Sequence, residues 1–207
     1  MNQAVLWYAS RATGLVALVL FTASVVLGAL GGGRFASARW PRFAVAGVHR
    51  AVSLLAVAFL LVHIGTSIID PFAGIGWLDA VVPFGSVYRP FWLGLGAVAG
   101  DLTVAIVITS LLRPRVNLRL WRWVHWTSYV CWPVAVVHGI GTGPTDFRLG
   151  WVLALNIVCV LLVLVAVGWR VGTSHPDTEA RARASLRANH VTARSRMRPT
   201  SASEEVV

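Results

Sequence analysis

The chain has 207 residues, of which 57% are hydrophobic and 13% charged, with a mean hydropathy of +0.70 and a net charge of +10. A soluble chain needs about a quarter charged residues to cover its surface, so a soluble enzyme, a secreted disulfide scaffold and a disordered regulator are excluded. An integral membrane protein remains, and the hydropathy removes the nucleic-acid partner that the positive charge would otherwise suggest.

Five apolar stretches reach the roughly 20 residues of helix that span a bilayer: 4–30, 43–69, 91–112, 123–140 and 149–169. Short Gly, Pro and Arg connections join them, except for a longer loop over 70–90 that holds Pro71, Gly74, Gly76, Pro83 and Gly85. From Val171 onward Ser, Thr, Ala and Arg replace the large apolar residues. Such a segment has too little apolar surface for a core, so residues 171–207 are expected to be a disordered tail.

All eighteen basic residues are Arg, the codon signature of a GC-rich bacterial genome. Arg34, Arg39 and Arg42 lie between spans one and two, and Arg113, Arg115, Arg119 and Arg122 between spans three and four. Seven more follow from Arg170 to Arg198. Basic loops stay in the cytoplasm, so the expected topology is a multi-pass protein of the bacterial plasma membrane, N-terminus outside and C-terminus cytoplasmic. The other side carries Arg11, Arg89 and Arg148, offset by Asp70, Asp79 and Asp146. The competing reading, a signal peptide cleaved at Ala36-Ser37-Ala38, lacks a basic leading region and has too long an apolar stretch.

The histidines carry the chemistry. His175 and His190 fall in the polar tail, but His49 and His63 lie in span two, and His125 and His138 in span four. Ionisable groups at membrane depth are costly and usually functional. His49 and His63 are 14 residues apart, nearly four whole turns and about 21 Å of helix, so they share one face at two depths. Spans two and four run in the same direction. His49 therefore meets His125 at the cytoplasmic level, and His63 meets His138 at the outer level. Two imidazoles per level suit two bis-His haems in the bundle core. One spacing resists: His125 and His138 are 13 residues apart, about 3.6 turns, which points them to nearly opposite faces of an ideal helix. Pro133 between them offers a kink, of an amount that spacing does not fix. Cys131 and Cys159 sit inside spans four and five and read as apolar packing residues. There is no CxxC pair, phosphate loop or HExxH helix.

The His49-x13-His63 and His125-x12-His138 spacings resemble the ferric reductase-like transmembrane domain. That domain is the haem-binding core shared by ferric reductases, NADPH oxidases and the haem-binding membrane subunit of the bacterial methionine sulfoxide reductase system. Flanking pieces extend the likeness: Val48-His49-Arg50, Thr109-Ser110-Leu111-Leu112-Arg113, Trp121-Arg122-Trp123-Val124-His125, Tyr129-Val130, Trp132-Pro133, His138-Gly139 and Thr145-Asp146. It covers roughly residues 5–165. The resemblance implies that His49, His63, His125 and His138 ligate the iron of two b haems, and that the 13-residue pair is a family feature. It leaves the acceptor open among ferric chelates, oxygen and a partner protein. The oxidases have six spans where five are expected here. Many relatives carry fused FAD and NAD(P)H domains, whereas residues 171–207 cannot form either.

Other polar residues have narrower readings. Arg11, inside span one, needs an anion at the outer level, either a haem propionate or a carboxylate. Arg50, Arg119 and Arg122 cluster near His49 and His125. Arg50 and Arg122 are candidate propionate clamps, while Arg119 fits a positive-inside anchor as well. Asp101, near the middle of span three, is expected to pair with Arg11 or with neighbouring hydroxyls, a proton relay being the minor alternative. Trp126 and Trp132 are expected near the haems as packing residues.

The expectation is an all-α membrane bundle of about five transmembrane helices over residues 1–170, enclosing two stacked b haems and followed by the tail 171–207. It would be the membrane cytochrome b component of an oxidoreductase, passing electrons outward. The donor would be a separate flavin reductase or a quinol. The acceptor would be a ferric chelate or a periplasmic redox protein. The alternatives from other classes are a haem-free scaffold or transporter whose histidines pack or relay protons, and a metal-ion carrier.

Overall fold

A computed structural model describes residues 3–32, 41–71, 74–143 and 150–196. Six helices follow in chain order: α1 (Gln3–Gly32), α2 (Arg42–Ile69), α3 (Pro90–Leu111), α4 (Leu118–Trp126), α5 (Ser128–Thr142) and α6 (Gly150–Arg196). No strand occurs among the described residues. Arg34, Arg39, Asp146, Arg148 and the Ala36-Ser37-Ala38 and Thr145-Asp146 segments lie outside them.

Four stretches are long and apolar enough to cross a membrane: Val5–Gly31, Phe43–Ile69, Pro90–Leu111 and Gly150–Gly172. The expected span at 123–140 is not one helix. It is divided at Thr127, which ends α4 and begins α5. Thr127 donates its backbone N–H to the Val124 carbonyl at 3.1 Å and its hydroxyl to the same carbonyl at 2.6 Å. Its own carbonyl accepts from the amides of Val130 and Cys131. The turn tightens to i→i−3 bonding there. Six residues on, Pro133 sits inside α5 without an N–H to give.

The connections are set by local chemistry. Pro90 opens α3, its fixed φ suited to a first helical turn. The Asn117 side chain caps α4 by accepting from the Arg119 amide at 2.8 Å. In the 70–89 loop Phe84 adopts a left-handed φ of 65°, and its ring lies where a Cβ on Gly94 would stand. Asp70 and Ser86 are buried in this loop.

α2 lies along α1, α3 along α5, and α6 against α1. Val25 of α1, Trp132 and Val136 of α5, and Cys159 and Val163 of α6 form a common core. Trp132 donates its indole N–H to the Thr22 hydroxyl at 2.9 Å, a buried bond fixing α5 to α1. The Cys131 thiol similarly bonds the Ala99 carbonyl of α3 at 3.3 Å. On the outside, α2 exposes Leu54, Leu55, Leu61 and Val62, a surface that suits lipid rather than water.

The expected disorder beyond Val171 gives way to helix as far as Arg196, because α6 runs on past the span. Ala, Arg, Glu and Leu, frequent over 179–187, are strong helix formers that need no core of their own.

Candidate functional site

The α1–α2 pair is built on a step of 14 residues. His49 and His63 on α2 face Ser24 and Ser10 on α1, which are also 14 apart. The Nδ1 atom of His63 lies 2.8 Å from the Ser10 carbonyl, and that of His49 lies 3.0 Å from the Ser24 carbonyl. A carbonyl only accepts, so each Nδ1 carries the proton and each Nε2 keeps a free lone pair. One turn after each histidine a serine hydroxyl bonds back to the histidine carbonyl: Ser53 to His49 and Ser67 to His63, both at 2.7 Å. The same hydroxyls meet Ser24 and Ser10 across the interface, again at 2.7 Å. Gly28 and Gly14, one turn after those serines, leave room for the rings. A Cβ on Gly14 would stand 2.9 Å from His63 Nδ1, and one on Gly28 would stand 3.5 Å from His49 Cε1.

The α3–α5 pair repeats this unit once. His138 Nδ1 donates to the Trp92 carbonyl at 2.7 Å, and Thr142 one turn later donates to the His138 carbonyl at 2.9 Å. Gly96, one turn after Trp92, is the close approach: a Cβ there would lie 2.5 Å from His138 Cε1. Fourteen residues beyond Trp92 and Gly96 stand Ile106 and Ser110, but His125 does not use them. The Thr127 break carries it onto α4. His125 Nδ1 is buried without a hydrogen-bond partner. Its ring is instead stacked on Trp121, with centroids 5.0 Å apart and planes at 20°. Trp121 in turn lies 4.6 Å beneath the Arg113 guanidinium and reaches the Ser110 hydroxyl at 3.4 Å.

The structure brings the four rings together in two pairs. His49 and His125 have centroids 6.2 Å apart with planes at 77°, and His63 and His138 have centroids 6.4 Å apart with planes at 78°. The break at Thr127 with Pro133 supplies the change of phase that a straight helix would lack. All four histidines line one cavity of about 1070 Å³ between α2 and the α3–α5 side. Among the described residues no group of three or more His, Cys, Asp or Glu is placed to hold a metal ion.

Arg11 lines the cavity at the His63–His138 level, donating to the Thr142 carbonyl at 2.9 Å and lying 5.3 Å over the Trp7 ring. Asp70 and Asp79 also line it. Arg122 and Arg170 line it at the other level; Arg170 donates to the Gly28 carbonyl at 3.3 Å. Three residues are placed differently from the expectation. Arg50 is exposed and not part of the lining, because a residue next to His49 points about 100° away round the helix. Asp101 is exposed on α3 and, among the described residues, pairs with neither Arg11 nor a hydroxyl. Trp132 packs in the core rather than on the cavity, whereas Trp126 lines it. Gly14, Gly96 and the serine pairs were not singled out from the sequence, and Trp121 entered only as part of the Trp121-Arg122-Trp123-Val124-His125 piece. Ser10-x3-Gly14 with Ser24-x3-Gly28, and His49-x3-Ser53 with His63-x3-Ser67, are a visible signal for most of them.

No curated protein and no solved structure matches the chain. A family described as "Ferric reductase like transmembrane component" matches residues 13–142, from one turn after Ser10 through α1 to the last residue of α5, with all four paired histidines inside that range. The protein is therefore a member of the ferric reductase-like transmembrane family, a membrane protein of a kind associated with transmembrane electron transfer.

Proposed function

We propose that the four cavity histidines hold two b-type haems, one at each level, and that the protein conducts electrons across the bilayer. The observation that carries this is the ring separation. With metal–imidazole bonds of about 2 Å on each side and about 1.1 Å from each ring nitrogen to its centroid, two imidazoles sharing one iron would have centroids about 6.2 Å apart. The centroid separations of 6.2 and 6.4 Å lie close to that span. Three of the four Nδ1 atoms donate to backbone carbonyls, the outer hydrogen bond that fixes a ligating imidazole and leaves Nε2 for the metal. A bare ion held by protein alone wants three or four ligands, so pairs favour haem over an ion carrier. The cavity, at about 1070 Å³, is at the top of the range for cofactor pockets.

Bound haem supplies a ferric–ferrous couple that carries one electron at each level. The chain's own part is to hold the rings, exclude water and place charge. Arg11 at one level and Arg122 at the other supply cations for propionates, and Arg170, on the cavity wall beside Arg122, joins them. The Arg-rich 113–122 connection supports a cytoplasmic placement of the His49–His125 level. Electrons enter there from a separate flavin reductase or a quinol, and leave at the His63–His138 level to a ferric chelate or a periplasmic redox protein.

The test uses purified protein from haem-replete cells. A pyridine haemochrome assay gives two haems per chain, and the reduced-minus-oxidised spectrum is that of a low-spin b cytochrome. A protein without a Soret band is a scaffold, transporter or ion carrier, and the proposal falls. In oriented sealed vesicles, NADPH alone leaves the haems oxidised; adding a flavin reductase or a quinol reduces them, and an external ferric chelate reoxidises them.

A further inference from the structure

The two histidine pairs are not equivalent, and the difference has a direction. At the His63–His138 level both imidazoles donate Nδ1–H to a carbonyl, at 2.8 and 2.7 Å. At the His49–His125 level only His49 does so, at a longer 3.0 Å, while His125 Nδ1 is buried with no acceptor. The cause is the Thr127 break, which lifts His125 away from the α3 carbonyl that a continuous repeat would offer. In place of that bond the ring has the face of Trp121, itself under Arg113.

We infer that the haem held by His49 and His125 has the more positive midpoint potential of the two, and that Trp121 is the residue that positions His125. This rests on the two-haem reading above. Two independent observations lead to it. A hydrogen bond from Nδ1–H to a carbonyl makes the imidazole a stronger electron donor, which favours ferric iron. The outer pair has two such bonds and the inner pair one. Fixed charge acts in the same direction. Arg122 and Arg170 line the cavity at the inner level, with Arg113 one ring behind. At the outer level Arg11 on the cavity wall, and Arg89 behind it on the Gly141 carbonyl, are offset by Asp70 and Asp79. Net positive charge in a low-dielectric surrounding favours the ferrous state, which has one positive charge fewer.

The consequence is a wire that stores its electron on the entry side. One electron passes from ferrous inner iron to ferric outer iron, leaving the inner iron ferric and the outer ferrous, with no proton moved. That step is uphill, so outward flow is drawn by the acceptor rather than driven by the inner haem. A protein holding a single electron would carry it at the inner site.

Optical and EPR redox titration of the purified protein tests this. The expected result is two components of equal amplitude, separated by tenfold or more in their reduction equilibria, about 59 mV for a one-electron couple. Gly14→Ala, which presses on His63, shifts or removes only the lower component. Trp121→Leu alters only the upper component and lets carbon monoxide bind its ferrous iron, while Trp121→Phe, which keeps a stacking ring, does not. A single unresolved component, or an upper component that responds to Gly14→Ala, overturns the inference while leaving two haems in the haemochrome assay. Absence of haem in that assay instead overturns the functional reading and the inference together. Should the Trp121→Leu protein fail to accumulate, the wild-type and Gly14→Ala titrations decide the matter alone.

Discussion

Gly96→Ala isolates the histidine geometry without touching a histidine. A Cβ at residue 96 would stand 2.5 Å from His138 Cε1, 2.7 Å from Nδ1 and 3.1 Å from Nε2. Carbon contacts settle near 3.5–4.0 Å, so the ring must retreat by about 1 Å. That motion strains or breaks the 2.7 Å bond to the Trp92 carbonyl, which, left unmade in a buried site, costs about 1–3 kcal/mol. Loss of such a partner lowers metal affinity about 10- to 100-fold. Against this stands a gain of about 1 kcal/mol from replacing a helical glycine by alanine, so the clash wins. The variant should retain the haem of the His49–His125 pair and lose most of the other, giving about one haem per chain by haemochrome assay. The three glycines form a graded series. Gly28→Ala, at 3.5 Å from His49, makes an ordinary contact and keeps two haems; Gly14→Ala, at 2.9 Å from His63, falls between. Gly65→Ala, with nothing within 4 Å, is the control and should only raise thermal stability. Two tightly bound haems with an unchanged spectrum in Gly96→Ala, or a series ranked in another order, would refute the reasoning.

His63→Ala and His138→Ala should each abolish the same spectral component, and His49→Ala and His125→Ala the other; cross-pairing of His49 with His138 in that assay would contradict the pairing. Thr22→Val strands the buried Trp132 indole N–H, now bonded at 2.9 Å, and should lower stability by about 1–3 kcal/mol in a thermal melt, with haem content unchanged. Arg50→Gln should leave haem content and midpoint potentials as in wild type, since its side chain is off the cavity, whereas Arg122→Gln should lower the midpoint of the His49–His125 component in a redox titration.

The sequence determined what depends on local rules. Hydropathy marked the membrane stretches, because burying about 20 apolar residues in lipid needs no tertiary partner. The 3.6-residue period placed His49 and His63 on one face, since α2 is unbroken across both. What the sequence did not determine is where helices break and what lies opposite. The 13-residue spacing of His125 and His138 fits no straight helix, and only the packing of α4 and α5 shows the turn at Thr127 that brings both rings to the cavity. The carbonyl partners at Ser10, Ser24 and Trp92 are backbone groups that carry no residue signature, so they emerge only once α1 and α3 are laid against their neighbours. The unpartnered His125 Nδ1 is the sum of both effects. A local break removes the ring from α3, and tertiary packing offers the Trp121 face in exchange.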